Sequence, residues 1–496
     1  MNPTRPRAVL AIALFALASF AGCGDDPASG SSDADTSDTE VAPDVAEVAD
    51  DADTAEPDAD ATDTVDPDVA DTLAPDVADT AAPDVADTFE PWDGNPGSTE
   101  RLDEELIPCD EPQYWPFVIK SQLRPLRVHY RVPGDASAAR DVLHELETAW
   151  RIEVDEIGWA APLDDHGTCG DDGAFDAFLW RDFPYAYVDV LDDNPLTAWD
   201  DGYPYMVIDP FNEFGGNELP ATVAHEFNHA CQAAYDWNDV TFIYEATSTF
   251  MEDEVHDGHN SYATLLFDFQ GHPDWSIDRN DDYETWYMYG AMLWLRYLRD
   301  RFFEGRPEFI VRLWEGMRSP PGRNEPDYVD SVDALLAPFG RSFADTVLEF
   351  ARWRWYVRDR DDGIHLEEAG GWPRDAVPKV AATLTSAGGT ATVRPMMTGT
   401  SYIDVTGTAG QAVTVSLETT VAESSVRFVV QALPGVDGSD GEFLELPARV
   451  ALTDVSGKVM RTIVVTALPG VDGDIDPDLR TDERFTAAIK VAPIAP

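Results

Sequence analysis

His225 and His229 flank a glutamate in the run Ala224-His225-Glu226-Phe227-Asn228-His229-Ala230. On a helix, residues four apart lie on one face, so both imidazoles point the same way. Two neutral imidazoles so placed can take one zinc ion. Glu226 then stands where it can draw a proton from a water polarised by that ion. Two polar histidines on a surface helix would give the same three letters, so the surrounding chain must decide. A zinc site needs a third protein ligand and an open position for water. The stretch Tyr244-Glu245-Ala246-Thr247-Ser248-Thr249-Phe250-Met251-Glu252-Asp253 offers Glu245 and, as the alternative, Glu252. At helical spacing Phe242, Ala246 and Phe250 form an apolar stripe, while Glu245, Thr249 and Glu252 share another face.

The elements that must carry these residues follow from periodicity. Leu126 to Val132 alternates like a strand, and Pro133-Gly134 closes it. Residues 135–157 have helical spacing through Val142, Leu146, Ala149 and Ile152. Phe175 to Trp180, Tyr185 to Leu191 and Tyr203 to Ile208 read as strands. Asn217 is a plausible N-cap for the next helix, with Glu218 and Pro220 in its first turn. That helix carries the histidines. Later helices are expected from Tyr283 to Phe303, Pro307 to Met317, Tyr328 to Pro338 and Ser342 to Val357, with Phe350, Trp353, Trp355 and Tyr356 in the core.

Strand, helix, several strands and then the histidine helix is an order that resembles the N-terminal half of zincin metallopeptidases. The resemblance implies that the last strand before the helix, Tyr203 to Ile208, is a sheet edge that pairs with an extended substrate. Metzincins continue H-E-x-x-H-x-x-G-x-x-H, but here Gln232 and Tyr235 stand at those positions. Gluzincins take a glutamate from a later helix, which implies Glu245 as third ligand. The combination of His-Glu-Phe-Asn-His-Ala-x-Gln-x-x-Tyr-Asp with Glu-Ala-Thr-Ser-Thr-Phe-Met-Glu-Asp resembles a group of predicted secreted metalloproteases of myxobacteria and relatives. In outline it is also similar to the M6 and M1 metallopeptidases. The resemblance covers Leu126 to Gly363 and implies that His225, His229 and Glu245 bind Zn2+ with Glu226 as base. The M1 motifs Asn-Glu-Gly-x-Ala and Gly-x-Met-Glu-Asn are not matched, which argues against an aminopeptidase. M1 enzymes carry Tyr-x-x-Gly-Ala with an oxyanion-stabilising tyrosine. Carried over, that residue is Tyr287, with Tyr289 and Tyr283 as alternatives and a purely structural aromatic cluster as the plain reading.

Charge and low complexity describe the ends. The chain of 496 residues has 95 acidic and 33 basic residues, a formal charge of −62, which argues against nucleic-acid binding and against adsorption to anionic lipid. Residues 1–22 read as an export signal, with Arg5 and Arg7 ahead of an apolar run too short to span a membrane. The run ends in Phe20-Ala21-Gly22-Cys23, which resembles a bacterial lipobox and implies lipidation of Cys23. Gly24 after the cysteine favours the outer membrane by the same resemblance. Residues 23–98 follow as a stalk. Between Gly24 and Ser98 lie 24 acidic residues and no Lys or Arg, and an eight-residue Asp/Ala/Pro/Thr period runs from Asp66 to Phe89. Such a segment buries too little apolar surface to offset its conformational entropy and is expected to be disordered and extended. Cys109 and Cys169 are a candidate disulfide; the alternative for Cys109 is a latent zinc ligand in an inhibitory segment. Cys231 is expected to pack as a small apolar residue.

From Lys379 short alternating runs replace helical spacing: Ala391 to Arg394, Ser401 to Val405, Ala412 to Leu417, Ser425 to Ala432, Arg449 to Leu452, Val459 to Ala467 and Phe485 to Val491. They suggest a sandwich of about seven strands. The expected architecture is therefore an α+β zincin-like metallopeptidase domain over 99–375 followed by an all-β sandwich over 376–496. The expected function is a surface-anchored zinc endopeptidase acting on protein or peptide substrates. The alternative is a surface binding or adhesion lipoprotein of the same fold without turnover.

Overall fold

The computed structural model describes residues 97–494, apart from 103–105, 171, 182, 184–185, 212–217, 281–284, 472, 474 and 478–481. The expected signal, lipidation site Cys23, stalk, helix cap Asn217 and Tyr283 lie outside the described residues.

A five-stranded mixed sheet comes first. Strands β1 (Phe117–Lys120), β2 (Leu126–Tyr130), β3 (Phe175–Leu179), β4 (Tyr187–Asp193) and β5 (Gly202–Ile208) are ordered β1-β2-β3-β5-β4. β2, β3 and β5 run parallel, and β1 and β4 are antiparallel at the two ends. β5 is hydrogen-bonded on both sides, so the expectation that it forms the edge is corrected: the outer strand on that side is β4. The parallel crossover from β2 to β3 contains helix α1 (Ala136–Ala149), which lies against β1 and β2. Its buried stripe is Ala139, Val142, Leu143, Leu146 and Ala149, the spacing read from the sequence. The helix does not continue regularly to residue 157; Trp150–Ile157 winds as a π-helix and stops at Gly158, whose φ of 97° suits glycine.

Helices α2 (Leu219–Gln232) and α3 (Thr241–Val255) follow and pack on each other, with α2 also against α1, β4 and β5. Pro220 sits in the first turn of α2, where its missing N–H costs nothing. From Phe242 to Asp253 every residue of α3 is buried, so neither face of this helix meets solvent. Helices α4 (Leu266–Gly271), α5 (Tyr287–Gly290), α6 (Met292–Phe302), α7 (Phe309–Met317), α8 (Tyr328–Leu336) and α9 (Phe343–Trp353) complete the helical part. The expected continuous helix to Phe303 is divided at Ala291. Asp327 caps α8, and Ser342 with Asp345 forms a capping box on α9.

The remaining chain forms two sheets around one apolar core. One is ordered β11-β10-β14-β8-β6, with β13 also on β14; the other is β12-β9-β15-β7. Their strands are β6 (Val380–Thr385), β7 (Gly389–Val393), β8 (Thr400–Thr406), β9 (Ala412–Thr419), β10 (Val426–Leu433), β11 (Glu442–Phe443), β12 (Ala448–Ala451), β13 (Thr453–Val455), β14 (Lys458–Pro469) and β15 (Ala487–Pro493). All seven expected strands are present, and β6, β11 and β13 are additional. Alternate residues such as Val413, Val415, Ile463, Val465, Ile489 and Val491 fill the space between the sheets. The helical part and the paired sheets belong to one compact unit. Tyr402 donates its hydroxyl to the Ala351 carbonyl (2.6 Å) and Gln431 donates to the Leu348 carbonyl (3.1 Å). Trp355, Tyr356, Leu433 and Val464 close the apolar junction. Among the described residues no helix is long and apolar enough to cross a membrane.

Candidate metal centre

One turn of α2 separates His225 from His229, and α3 brings Glu245 across to meet them. The Nε2 atoms of the two histidines are 3.1 Å apart. Glu245 Oε2 lies 3.2 Å from His225 Nε2 and 3.8 Å from His229 Nε2. Ligands on tetrahedral zinc, at bonds of roughly 2.0–2.1 Å, stand about 3.4 Å from one another. The three observed separations scatter around that value, so His225, His229 and Glu245 can hold one metal ion. Two imidazole nitrogens and one carboxylate suit zinc and its transition-metal neighbours better than calcium or magnesium, which prefer oxygen alone.

The far side of each ring is held as firmly. His225 Nδ1 is 2.7 Å from Glu252 Oε1, and Glu252 Oε2 accepts from the Ser261 hydroxyl at 3.0 Å. His229 Nδ1 is 2.8 Å from Gln232 Oε1. Gln232 in turn donates to Asn228 Oδ1 (2.8 Å), and Asn228 donates to Glu153 Oε2 in the π-helical turn (2.8 Å). Such partners keep the proton on Nδ1 and aim Nε2 at the shared point. Glu252 therefore orients His225 from behind, and its alternative role as third ligand is corrected in favour of Glu245. Sequence reading missed the roles of Gln232 and Glu153. Gln232, three residues after His229, was accessible from helical spacing; Glu153, 75 residues before Asn228 in the chain, carries no local signal.

Proton placement without a metal follows from burial and neighbours. Burial alone would lower His225, but hydrogen bonds and charge from Glu245 and Glu252 raise it to about 10. Burial lowers His229 to about 4 despite Glu245. Glu226 is fully buried, and burial raises its carboxyl to about 8, with His225 opposing and Glu245 and Glu252 reinforcing. Among the described residues neither carboxylate oxygen of Glu226 has a hydrogen-bond partner. Leaving a buried carboxyl unpartnered costs on the order of 1–3 kcal/mol. Placed beside a ready-made ligand set, such a group suits a base that must reach an incoming water.

The other expected residues fall as follows. Cys109 and Cys169 are joined in a disulfide, which removes Cys109 as a latent metal ligand and Cys169 as a thiolate beside Asp165 and Asp176. Cys231 is buried in the main apolar core. Tyr287 is buried against Phe269 and Trp275, and its hydroxyl donates to the Ser276 carbonyl at 2.8 Å. Tyr289 instead lies with its ring 5.8 Å from that of His225 and inclined at 23°. The structure thus brings Tyr289, not Tyr287, beside the histidines.

No protein-family model matches the chain, and no curated protein sequence matches it significantly.

Proposed function

We propose that the chain is a zinc metallopeptidase of gluzincin type, exported and held at the bacterial surface by lipid on Cys23. The observation that carries the reading is the convergence of His225, His229 and Glu245 beside the unpartnered, buried Glu226. Zinc bound by those three residues would supply Lewis acidity toward water and the scissile carbonyl. Glu226 would accept the water's proton and pass it to the leaving amine nitrogen. A carboxyl raised to about 8 without metal would be drawn to lower values by the ion's charge, leaving it ionised and basic near neutrality. Glu252 and Gln232 would hold the imidazoles still while this happens. Tyr289 is the better-placed donor for the developing oxyanion, and an extended peptide would add to the outer strand β4.

The test is metal content and proteolysis of the full chain. The reading expects one zinc per chain in the wild type and none in a His229→Ala variant. It expects casein hydrolysis that 1,10-phenanthroline stops and added zinc restores. Zinc binding without cleavage of casein, gelatin or a mixed peptide library would favour a surface binding protein instead.

A further inference from the structure

Below the end of α9 a cavity of about 660 Å3 opens between residues 357–360, residues 374–380 and strands β8, β13 and β14. Its lining contradicts the rest of the molecule. In a chain with 95 acidic and 33 basic residues, this one cleft gathers Arg358, Arg360, Arg374 and Lys458 against only Asp359 and Asp404. The Asp404 carboxylate already accepts from the Thr462 hydroxyl at 2.8 Å. Arg296 and Arg299, buried elsewhere, sit on carboxylates, Arg296 on Asp253 at 3.1 Å and Arg299 on Glu254, while buried Arg354 donates to Gln270 Oε1 and the Phe269 carbonyl. Among the described residues the side chains of Arg360, Arg374 and Lys458 make no hydrogen bond and no ion pair within 4 Å.

The Asp404 carboxylate faces both Arg360 and Lys458, and Asp359 also faces Arg360, so four cations share two carboxylates in one concavity. The Arg360 guanidinium is held over the Trp355 ring at 4.5 Å, and burial depresses its basicity. Arg358 has φ of 58°, unusual for a residue with a side chain, and is tied down by donating to the Gly370 carbonyl at 2.9 Å. The volume falls in the range that holds small molecules, roughly 300–1,000 Å3. Guanidinium forks match the oxygen pairs of phosphate and carboxylate. None of these residues belongs to the His225 group.

We propose that this cleft is a binding site for a small polyanion bearing two or more phosphate or carboxylate groups. Arg360 and Arg374 clamp one group each, and Lys458 neutralises the remainder as a point charge. The negative body repels every anion at long range in proportion to its charge, so retention depends on short-range contact with several cations at once.

Calorimetric titration of the full chain with sodium pyrophosphate and with citrate, at fixed ionic strength, tests this. Binding with Kd below about 1 mM is expected for at least one of them. Which one binds assigns the groups as phosphate or carboxylate. The double variant Arg374→Gln/Lys458→Gln, in which both altered side chains are exposed and unpaired, is expected to weaken binding tenfold or more at unchanged melting temperature. Absence of binding by both anions overturns the proposal. Binding that the double variant leaves intact also overturns it, because it places the anion at a metal ion on the His225 group or elsewhere.

Discussion

Glu226 is sealed from solvent with no hydrogen-bond partner among the described residues for either carboxylate oxygen, and burial beside Glu245 and Glu252 lifts it to about 8 against the opposing charge of His225. That arrangement has a pH signature in the metal-free chain. Above its ordinary value of 4.5 the unfolded chain releases the Glu226 proton, while the folded chain keeps it until about 8. His225 stabilises the fold fully below 6.5, and that contribution is lost as pH rises toward about 10. Between pH 6.5 and 8 the folded state therefore binds more protons, and stability falls with rising pH. His229, lowered to about 4, acts in the opposite sense only below 6.5. The expected outcome is a metal-free melting temperature that drops from pH 6.5 to 8, and a shallower drop for Glu226→Gln; parallel slopes in the two proteins would contradict the account. Glu252→Gln is expected to weaken zinc binding about 10–100-fold by removing the carboxylate behind His225. A competition titration against a zinc chelator reads that ratio. Tyr289→Phe is expected to lower kcat about 100-fold or more, with little change in KM. Tyr287→Phe, which loses the hydrogen bond to the Ser276 carbonyl, is expected to cost about 1 kcal/mol of stability and little turnover.

At the scale of elements, the centre depends on α2 being fixed against both α3 and the π-helical turn. Asn228 is the joint, donating to Glu153 and accepting from Gln232, which positions His229. Asn228→Leu leaves Glu153 buried beside an apolar side chain and is expected to cost about 3 kcal/mol, with denaturant unfolding as the measurement. What the sequence made legible follows the range of the interactions. His225, Glu226 and His229 were readable because four-residue spacing on one helix encodes their common face. Glu245 needed only one more short helix. Seven of the strands between Gly389 and Pro493 were readable because period-two alternation marks a face buried between two sheets, whereas β11 and β13, of two and three residues, are too short to show it. Strand order was not readable. The alternation from Tyr203 to Ile208 reads as a strand, but it does not show that β4 folds back outside it, because that pairing is a tertiary choice. Tyr287 and Tyr289 are two residues apart in a run of aromatics. Both lie on α5, about 200° apart around it, and which of them meets His225 is set by how that short helix packs, which no periodicity announced. β1 is short and flanked by Pro116, which hid it.

At the scale of the whole molecule, the helical part and the paired sheets share the junction of Trp355, Tyr356, Tyr402, Leu433 and Val464. Removing residues 376–496 would expose that apolar surface and take away the side-chain donors to the Ala351 and Leu348 carbonyls. The expected result is a single unfolding transition for the intact chain in calorimetry, and aggregation of the truncated one. Two separated transitions would show that the sheets fold independently. The acidic composition bears on partners as well, and the lining of the cleft at Arg360 and Arg374 runs against it.

In the proposed mechanism Glu226 performs the proton transfer and His225, His229 and Glu245 hold the metal. The measurement that meets it most directly is zinc content together with casein hydrolysis, made on the full chain and on its Glu226→Gln variant. One zinc in each protein, with hydrolysis in the wild type and a loss of about a thousandfold or more in the variant, is the predicted result. Equal hydrolysis by the two proteins, or no zinc in either, would contradict it.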